Sequence, residues 1–586
     1  MEKVRRTVVV RVHLLFVVVL LLVMPGIGVV WSGDVAAQPV SGKLPPLPID
    51  DDDDDDEEEM ESEGGEEAIE PEIEPEVEPE ELVTIEPGEE PIDMESTRKE
   101  ILSHLPDLPI DDPRVGMDRR GANRDVVCAP DHYVPAMETM TRRVDRLLDT
   151  EKLKGARVGV LAVAYPEGTI LYERDPHGLY NPASVSKIFT AATALEELGE
   201  GARFKTWVSV DKGDCPTLYF QGEGDPGLDE KDLQSLARKV KESGIECVRR
   251  VVYTEHPFDG KTLPPAYEQK KTDAAYRSRI GAVGIGFGAF ALKVLPGKRH
   301  GDPVRIELFP SCSGFAVDNK AVTVNPSKDE SPKLRASVSD YRGKTVVHVG
   351  GEISLKREHG KTISLALPNP SRFAAWYLRD RLVDAGIKVT KESPRLRDVP
   401  DNTTEIASVT SAPLSRDVKD MQEWSRNYIA EQLVKLLSIG ECKPYTFDCG
   451  IKRLLRVLST FHVPPTCVQF KNGSGLYDAN RISPWWTVRA LLEMANRGKI
   501  AESFLGAFAR GCKTGTLRNR MKRVGRPVLA KTGTLDGVSA LAGYIMRKNG
   551  GYIVFAIYFN DSPTSASTSR QIQDRMVETF SLFDVQ

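Results

Sequence analysis

The sequence contains neither a Cys-x-x-Cys pair nor two histidines spaced His-x-x-x-His, although it holds eight cysteines and nine histidines. The first absence argues against a structural zinc site, the second against a catalytic zinc held on one helix face. Gly-x-Ser-x-Gly is also missing, which removes the lipase type of nucleophile. Aromatic residues make up 7% of the chain. No basic cluster is interleaved with them, so nucleic-acid binding has no support. No Lys or Arg occurs between residues 50 and 95, where 26 Asp and Glu stand. The chain has a net charge of −8, so it is basic outside that segment. Gly222-Glu-Gly-Asp-Pro-Gly227 fits the dinucleotide pattern Gly-x-Gly-x-x-Gly. Glu223 and Asp225 would repel a pyrophosphate there, and Pro226 lacks the N–H that a phosphate needs.

A chain of 586 residues is expected to form two to four domains. Residues 1–37 read as an export signal. Lys3, Arg5, Arg6 and Arg11 precede the apolar run Leu14–Val23, and Val35-Ala36-Ala37 offers a cleavage site. Export to the periplasm or cell envelope follows, with peripheral membrane association left open, and disulfides are then permitted. Their pairing cannot be read from spacing alone, although Cys442 and Cys449 are nearest in sequence. Residues 38–125 read as an acidic tether that cannot bury enough apolar area to offset its ordering entropy. It contains a short repeat, Leu44-Pro-Pro-Leu-Pro-Ile-Asp-Asp51 and Leu105-Pro-Asp-Leu-Pro-Ile-Asp-Asp112.

Globular sequence begins near Val126. Strands are predicted at 158–164 and 169–172, and a helix over 188–198 that stops at Gly199. Residues 202–378 read as strand-rich, with one helix near 229–243. Further helices are expected at 425–437 and from Ser483-Pro484 to Gly498, and strands at 528–534, 540–546 and 552–559. Trp485 and Trp486 read as core rather than as stacking residues for carbohydrate.

Ser-x-x-Lys occurs three times, at Ser96/Lys99, Ser184/Lys187 and Ser209/Lys212. Ser96 follows the acidic run. Ser209 lies in a predicted strand, where a three-residue offset puts the side chains on opposite faces. Ser184 alone opens a helix, where positions three apart share a face, so Lys187 can reach its hydroxyl. The helix N-terminus favours a developing alkoxide. Lysine is a base only when neutral, which requires desolvation or a neighbouring cation. Lys531-Thr532-Gly533 supplies that cation on a strand, with Gly533 expected to leave room for substrate backbone. A second copy, Lys513-Thr-Gly-Thr516, leads into sequence that is not strand-like. Ser425-Arg426-Asn427 offers a hydroxyl and an amide two residues apart at a helix start, able to relay a proton and hold a substrate amide.

The order Ser-x-x-Lys, Ser-x-Asn, Lys-Thr-Gly is the motif set of penicillin-binding proteins and β-lactamases. From Val126 onward the chain resembles the low-molecular-mass class C penicillin-binding proteins, a D-alanyl-D-alanine carboxypeptidase/endopeptidase family. The resemblance runs through Asn181-Pro-Ala-Ser-Val-Ser-Lys187, Gly222-Glu-Gly-Asp-Pro226 and Ser425-Arg-Asn-Tyr-Ile-Ala-Glu431, where Arg426 replaces the commoner Asp. It continues through Asn472-Gly-Ser-Gly-Leu476, Asn480-Arg-Ile-Ser-Pro484, Gly515-Thr-Leu-Arg-Asn-Arg-Met521 and Ala530-Lys-Thr-Gly-Thr-Leu535.

The resemblance implies an α+β fold. A β-lactamase/transpeptidase-like catalytic domain, an antiparallel sheet with helices, would form from residues 126–201 and 379–586. Strand-rich domains, residues 202–378, would be inserted between the first and second motifs. It implies Ser184 as nucleophile, Lys187 as base, Ser425 and Asn427 as relay and orienter, and Lys531 as the second cation and carboxylate holder. Thr532, Gly533 and Thr534 would bind substrate, with the oxyanion held by the N–H groups of Ser184 and Thr534. The implied substrate is a peptidoglycan stem peptide and the implied inhibitors are β-lactam antibiotics, with no cofactor and no metal. A β-lactamase would need an added base for rapid deacylation, and no residue can be assigned to it. A non-catalytic wall-binding scaffold would have no use for intact Ser184, Lys187 and Lys531.

Overall fold

The computed structural model describes residues 134–326, 332–548 and 550–583; the expected leader and tether, the repeat and Cys128 lie outside the described residues. Alternation along one strand sets the architecture of the catalytic half. Ile553, Phe555, Ile557 and Phe559 enter one hydrophobic core, while Val554, Ala556 and Tyr558 enter another. A strand covered on both faces reads as a continuous apolar run, and Tyr552–Asn560 is buried throughout. It lies inside a six-stranded sheet in the order Ala509–Arg510, Val528–Leu535, Val538–Met546, Tyr552–Asn560, Arg157–Tyr165, Thr169–Arg174. All its pairings are antiparallel. Val160 stands opposite Ile557, so the sheet closes only when both ends of the globular chain are present.

Helices Val134–Leu148 and Ala566–Ser581 cover one face through Val144, Met576 and Phe580. Helices Lys187–Leu198 and Pro484–Ala495 belong to the other core through Phe189, Leu195, Val488 and Leu491. The first of these is buried from Lys187 to Leu195 and ends at Gly199 with φ +82°, a conformation that glycine adopts without a Cβ penalty. Ser483 caps the second, accepting the Trp486 N–H at 3.3 Å. Trp485 and Trp486 are half-buried against the same core.

A third core holds the insert. Its largest sheet runs Arg395–Leu396, Val251–Tyr253, Leu218–Gly222, Lys205–Val210, Thr404–Thr410. Sheets of four and three strands follow. The helix Glu230–Glu242 begins with a capping box between Asp229 and Asp232. The insert extends past 378, because Thr404–Thr410 pairs with Lys205–Val210. The helix Pro370–Asp384, not anticipated from the sequence, packs Phe373 and Leu378 into the insert core. Conversely Phe258, Ile280 and Ala282 lie within the expected insert but join the catalytic core. Disulfides join Cys215 to Cys247 and Cys442 to Cys449, while Cys312, Cys467 and Cys512 are free thiols.

The Gly222-Glu-Gly-Asp-Pro226 turn is a joint between the two halves. The Gly224 carbonyl accepts Gln432 Nε2 at 3.1 Å. Asp225 accepts the Gly227 N–H at 2.9 Å. Asp417, on the helix Leu414–Trp424 that leads to the second motif, is buried beside it. Burial pushes Asp225 up to about 7. Burial, then the neighbouring Asp225, pushes Asp417 up to about 8. Each carboxyl therefore holds a proton in the folded chain that it would lose at about pH 4 when unfolded. That stability is complete at low pH and is lost as pH rises from about 4 through about 8. Asp417→Asn is accordingly expected to melt at the parent temperature near pH 4. At pH 8 it should melt roughly 2–4 °C or more above the parent, as read by scanning calorimetry at both pH values.

Candidate active site

Ser184 lies in a single 3-10 turn, Ala183–Ser186, that runs directly into the helix beginning at Lys187. The three-residue offset brings Lys187 Nζ to 2.9 Å from Ser184 Oγ. The same nitrogen is 2.6 Å from Asn427 Oδ1 and 2.9 Å from the Ser474 carbonyl oxygen. Both are carbonyl oxygens and can only accept; the Asn427 Nδ2 bond to the Tyr276 carbonyl at 2.8 Å fixes the amide with its oxygen toward the lysine. A neutral amine has two N–H groups and one lone pair. With both N–H groups directed at the two carbonyl oxygens, the lone pair faces the Ser184 hydroxyl. The geometry thus orients Lys187 as a base toward one oxygen.

Lys187 has no exposed surface. Burial first, and then the charge of Lys531, hold its ammonium well below the usual lysine range, with Glu431 opposing. Lys531 is equally buried. Its Nζ lies 2.8 Å from Ser425 Oγ and 2.9 Å from the Thr532 carbonyl. Both ammonium-bearing side chains are sealed from solvent, whereas Ser184, Ser425 and Asn427 are only partly buried. The hydroxyls therefore line the opening and the lysines lie behind them.

Ser425 departs from the expected helix start. The helix Leu414–Trp424 ends there, Ser425 takes a left-handed conformation with φ +61°, and a new helix runs Asn427–Leu436. A residue held at positive φ without being glycine carries a strain of order 1 kcal/mol. The break turns two side chains of one tripeptide toward different lysines, Ser425 to Lys531 and Asn427 to Lys187. The guanidinium of Arg426 stacks 4.1 Å from the Phe287 ring centroid, away from this chemistry.

Gly533 serves a different neighbour from the one expected. A Cβ at that position would sit 2.7 Å from the Pro182 carbonyl oxygen and 3.1 Å from the Ala183 Cβ. Its missing side chain admits the turn that carries Ser184. Thr532 and Thr534 project from the other face of the strand. Thr532 Oγ1 is 3.0 Å from Thr516 Oγ1, and Arg570 Nη2 is 3.3 Å from Thr534 Oγ1. The second Lys-Thr-Gly copy thus flanks the site through Thr516 and leaves Lys513 exposed.

Several contributors were not singled out by sequence reasoning. Ser474 supplies a carbonyl from the segment Asn472-Gly-Ser-Gly-Leu476, which the resemblance had marked without giving it a role. Tyr267, from the insert, places its hydroxyl 3.1 Å from Ser474 Oγ. Glu431 accepts the Ser474 N–H at 2.8 Å. The segment bearing Tyr267 straps across the site, with Lys270 paired to Asp536 at 2.6 Å and Gln269 bonded to Asp478. Among the described residues, no group of His, Cys, Asp and Glu could hold a metal ion.

The family described as D-Ala-D-Ala carboxypeptidase 3 (S13) matches residues 140–581. A D-alanyl-D-alanine carboxypeptidase from Actinomadura is 30% identical over 461 residues, 74% of this chain and 84% of that protein. Penicillin-binding protein 4 (dacB) from Haemophilus influenzae superposes with a TM-score of 0.65 at 21% identity, covering 75% of this chain and 99% of the other. The same protein complexed with a novel β-lactam gives 0.60 at 22% identity, covering 76% and 100%. These structures share the fold.

Two outcomes follow from the geometry. Lys531→Met removes the cation that opposes a proton on Lys187. The acid limb of the acylation rate should therefore move to higher pH by roughly one unit, as read from a pH–rate profile. Gly533→Ala pushes the nucleophile turn by a fraction of an ångström and should slow acylation roughly 10–100-fold without unfolding the protein, as read by stopped-flow kinetics and circular dichroism.

Proposed function

The chain belongs to the D-Ala-D-Ala carboxypeptidase 3 (S13) family, and from that premise we propose that Ser184 is the acylated nucleophile of a serine D-alanyl-D-alanine carboxypeptidase acting on peptidoglycan stem peptides. The observation that carries this reading is the buried, uniquely oriented Lys187 at 2.9 Å from the Ser184 hydroxyl. Ser184 Oγ attacks the carbonyl between the two D-alanines and its proton passes to Lys187. The N–H groups of Ser184 and Thr534 receive the oxyanion. Losing one such donor typically slows a reaction ~10²–10³-fold. Thr534 suits this role because no strand pairs with the far side of Val528–Leu535 beyond Ala530 among the described residues. Ser425, hydrogen-bonded to Lys531, hands a proton to the departing amine, and Asn427 orients the substrate amide. Water then releases the acyl group.

Lys531, implied by the resemblance as the carboxylate holder, lends its charge from behind other groups that the substrate carboxylate meets first. That ammonium is sealed behind Ser425 and directed at two protein oxygens. The partly buried hydroxyls of Thr532 and Thr534, with the exposed guanidinium of Arg570 against Thr534, offer carboxylate-binding chemistry beside it. A D-centre crosslink carries the same α-carboxylate beside its scissile bond, so D,D-endopeptidase action fits the same site. A β-lactam acylates Ser184 likewise and blocks deacylation, because its leaving amine stays tethered in the product. A peptidoglycan substrate requires export, which agrees with the leader and with two disulfides.

A fluorescent penicillin should label the parent protein and leave Ser184→Ala unlabelled. Purified muropeptide carrying a pentapeptide should lose one D-alanine, detected by mass. A folded parent that takes up no label overturns the reading. Arg570→Ala should lower kcat/KM roughly 10-fold for a peptide ending in a free carboxylate, the loss of one charge-assisted hydrogen bond. It should change little for the same peptide ending in an amide.

A further inference from the structure

Glu431 is a wholly buried carboxyl for which the chemistry above has no use. It lies one helical turn beyond Asn427, on the same face of the helix Asn427–Leu436. Its two oxygens accept the backbone N–H groups of Ser474 at 2.8 Å and Gly473 at 3.3 Å. The Ser474 hydroxyl bonds to it as well. On its other side Ser474 offers its carbonyl to Lys187 Nζ at 2.9 Å. One residue of the turn is therefore gripped by the carboxyl through its N–H and by the catalytic base through its C=O.

Backbone N–H groups can only donate, so both oxygens of Glu431 are required as acceptors. That is the natural state of a carboxylate. Burial holds the carboxyl above its ordinary range, while the Ser474 and Gly473 donors, then Lys187, favour its ionised form and offset part of that rise. The groups facing Lys187 are Lys531 from the sheet, Glu431 and Asn427 from this helix, Ser184 from its own turn, and Ser474 from the loop. Tyr267 from the insert stands behind Ser474. Burial holds its phenol well above the usual range, so it is neutral. The only charges on these facing groups are Lys531, positive, and Glu431, negative.

We propose that Glu431 is a positioning residue of this reaction: it holds the Gly473–Ser474 turn against Lys187 and supplies the negative charge that offsets Lys531 there. The inference rests on Ser184 and Lys187 being the acylating pair. Removing the cation and removing the carboxylate should then act on the base in opposite directions. Without Glu431 the Lys187 ammonium gives up its proton more readily, so the acid limb moves to lower pH.

The test is the pH dependence of the second-order acylation rate with a fluorescent penicillin for parent, Glu431→Gln and Glu431→Asp. The Gln variant should lose plateau rate, because an amide N–H2 opposes one of the two N–H donors. Its acid limb should shift downward by about one unit or more. The Asp variant should lose plateau rate and keep the parent limb. A Gln variant with a lowered plateau and an unmoved limb, or a limb moved upward, overturns the proposal and leaves Glu431 a packing residue. A parent that is not acylated at all instead overturns the assignment of Ser184. Should Glu431→Gln fail to fold by circular dichroism, the parent labelled with 13C at glutamate Cδ decides. The Glu431 carboxyl resonance, assigned through the Ser474 amide, should hold its ionised position at pH 7, and a protonated position there overturns the proposal.

Discussion

Two lysine side chains are buried completely within one catalytic centre, and the rest of the site is arranged around the fact that both cannot easily carry a proton. A buried charge is tolerated only when paired or amply hydrogen-bonded. Lys531 has a hydroxyl and a carbonyl as acceptors, while Lys187 has two carbonyl oxygens and a hydroxyl. The two environments differ in their last partner. Ser425 can accept from an ammonium, and in the proposed reaction Ser184 gives up its proton to an amine. The pair therefore divides into a cation and a base through the surrounding oxygens rather than through any difference between the side chains themselves.

The helix Asn427–Leu436 carries much of that division. Asn427, Glu431 and Lys435 recur every four residues, so a polar stripe runs down a helix buried from Tyr428 to Leu436. Each is satisfied by a different part of the chain: Asn427 by Lys187 and the Tyr276 carbonyl, Glu431 by the Gly473–Ser474 amides, Lys435 by Asp259 at 2.6 Å. Gln432 adds bonds to the Gly224 and Gly281 carbonyls. Tyr276, Asp259, Gly224 and Gly281 all belong to the stretch expected to be an accessory insert. The insert is thus bonded to the helix that sets the base. Its Phe258, Ile280 and Ala282 lie in the catalytic core, so loosening the joint would disturb the chemistry directly.

Much of this was legible in the sequence where one periodicity dominated. The strands near 158, 169, 528, 540 and 552 were predicted to within a few residues, because apolar runs bounded by turns mark them, continuous where both faces are covered, as at 540 and 552. Ser184 and Lys187 were separable from Ser209 and Lys212 because a helix places positions three apart on one face, and a strand does not; Ser96 and Lys99 were set aside by the acidic run before them. The break at Ser425 was not legible. Propensity favours one helix through 425–437, and only the tertiary pull of Lys531 on the hydroxyl explains the left-handed residue. The pairing of Thr404–Thr410 with Lys205–Val210 was hidden for another reason: two strands about 200 residues apart leave no local signal. Glu431 and Ser474 were visible as parts of motifs, but their roles depend on a hydrogen bond between two distant segments.

Gly533 shows that a motif residue can answer to a neighbour the motif does not name. Small size was required, yet the close neighbour is the Pro182 carbonyl at 2.7 Å from a would-be Cβ, not a ligand. Gly475 plays the matching part on the opposite side, where a Cβ would collide with the Ala183 carbonyl. The nucleophile turn is therefore held between two strips of bare backbone, one from the sheet and one from the Gly473–Ser474 loop. Neither strip can rotate out of the way as a side chain could. A turn clamped in this manner keeps Ser184 within hydrogen-bonding distance of a base that itself has no freedom to search. In the proposed reaction that rigidity is what lets Lys187, its ammonium held well below the usual lysine range by burial, accept the proton.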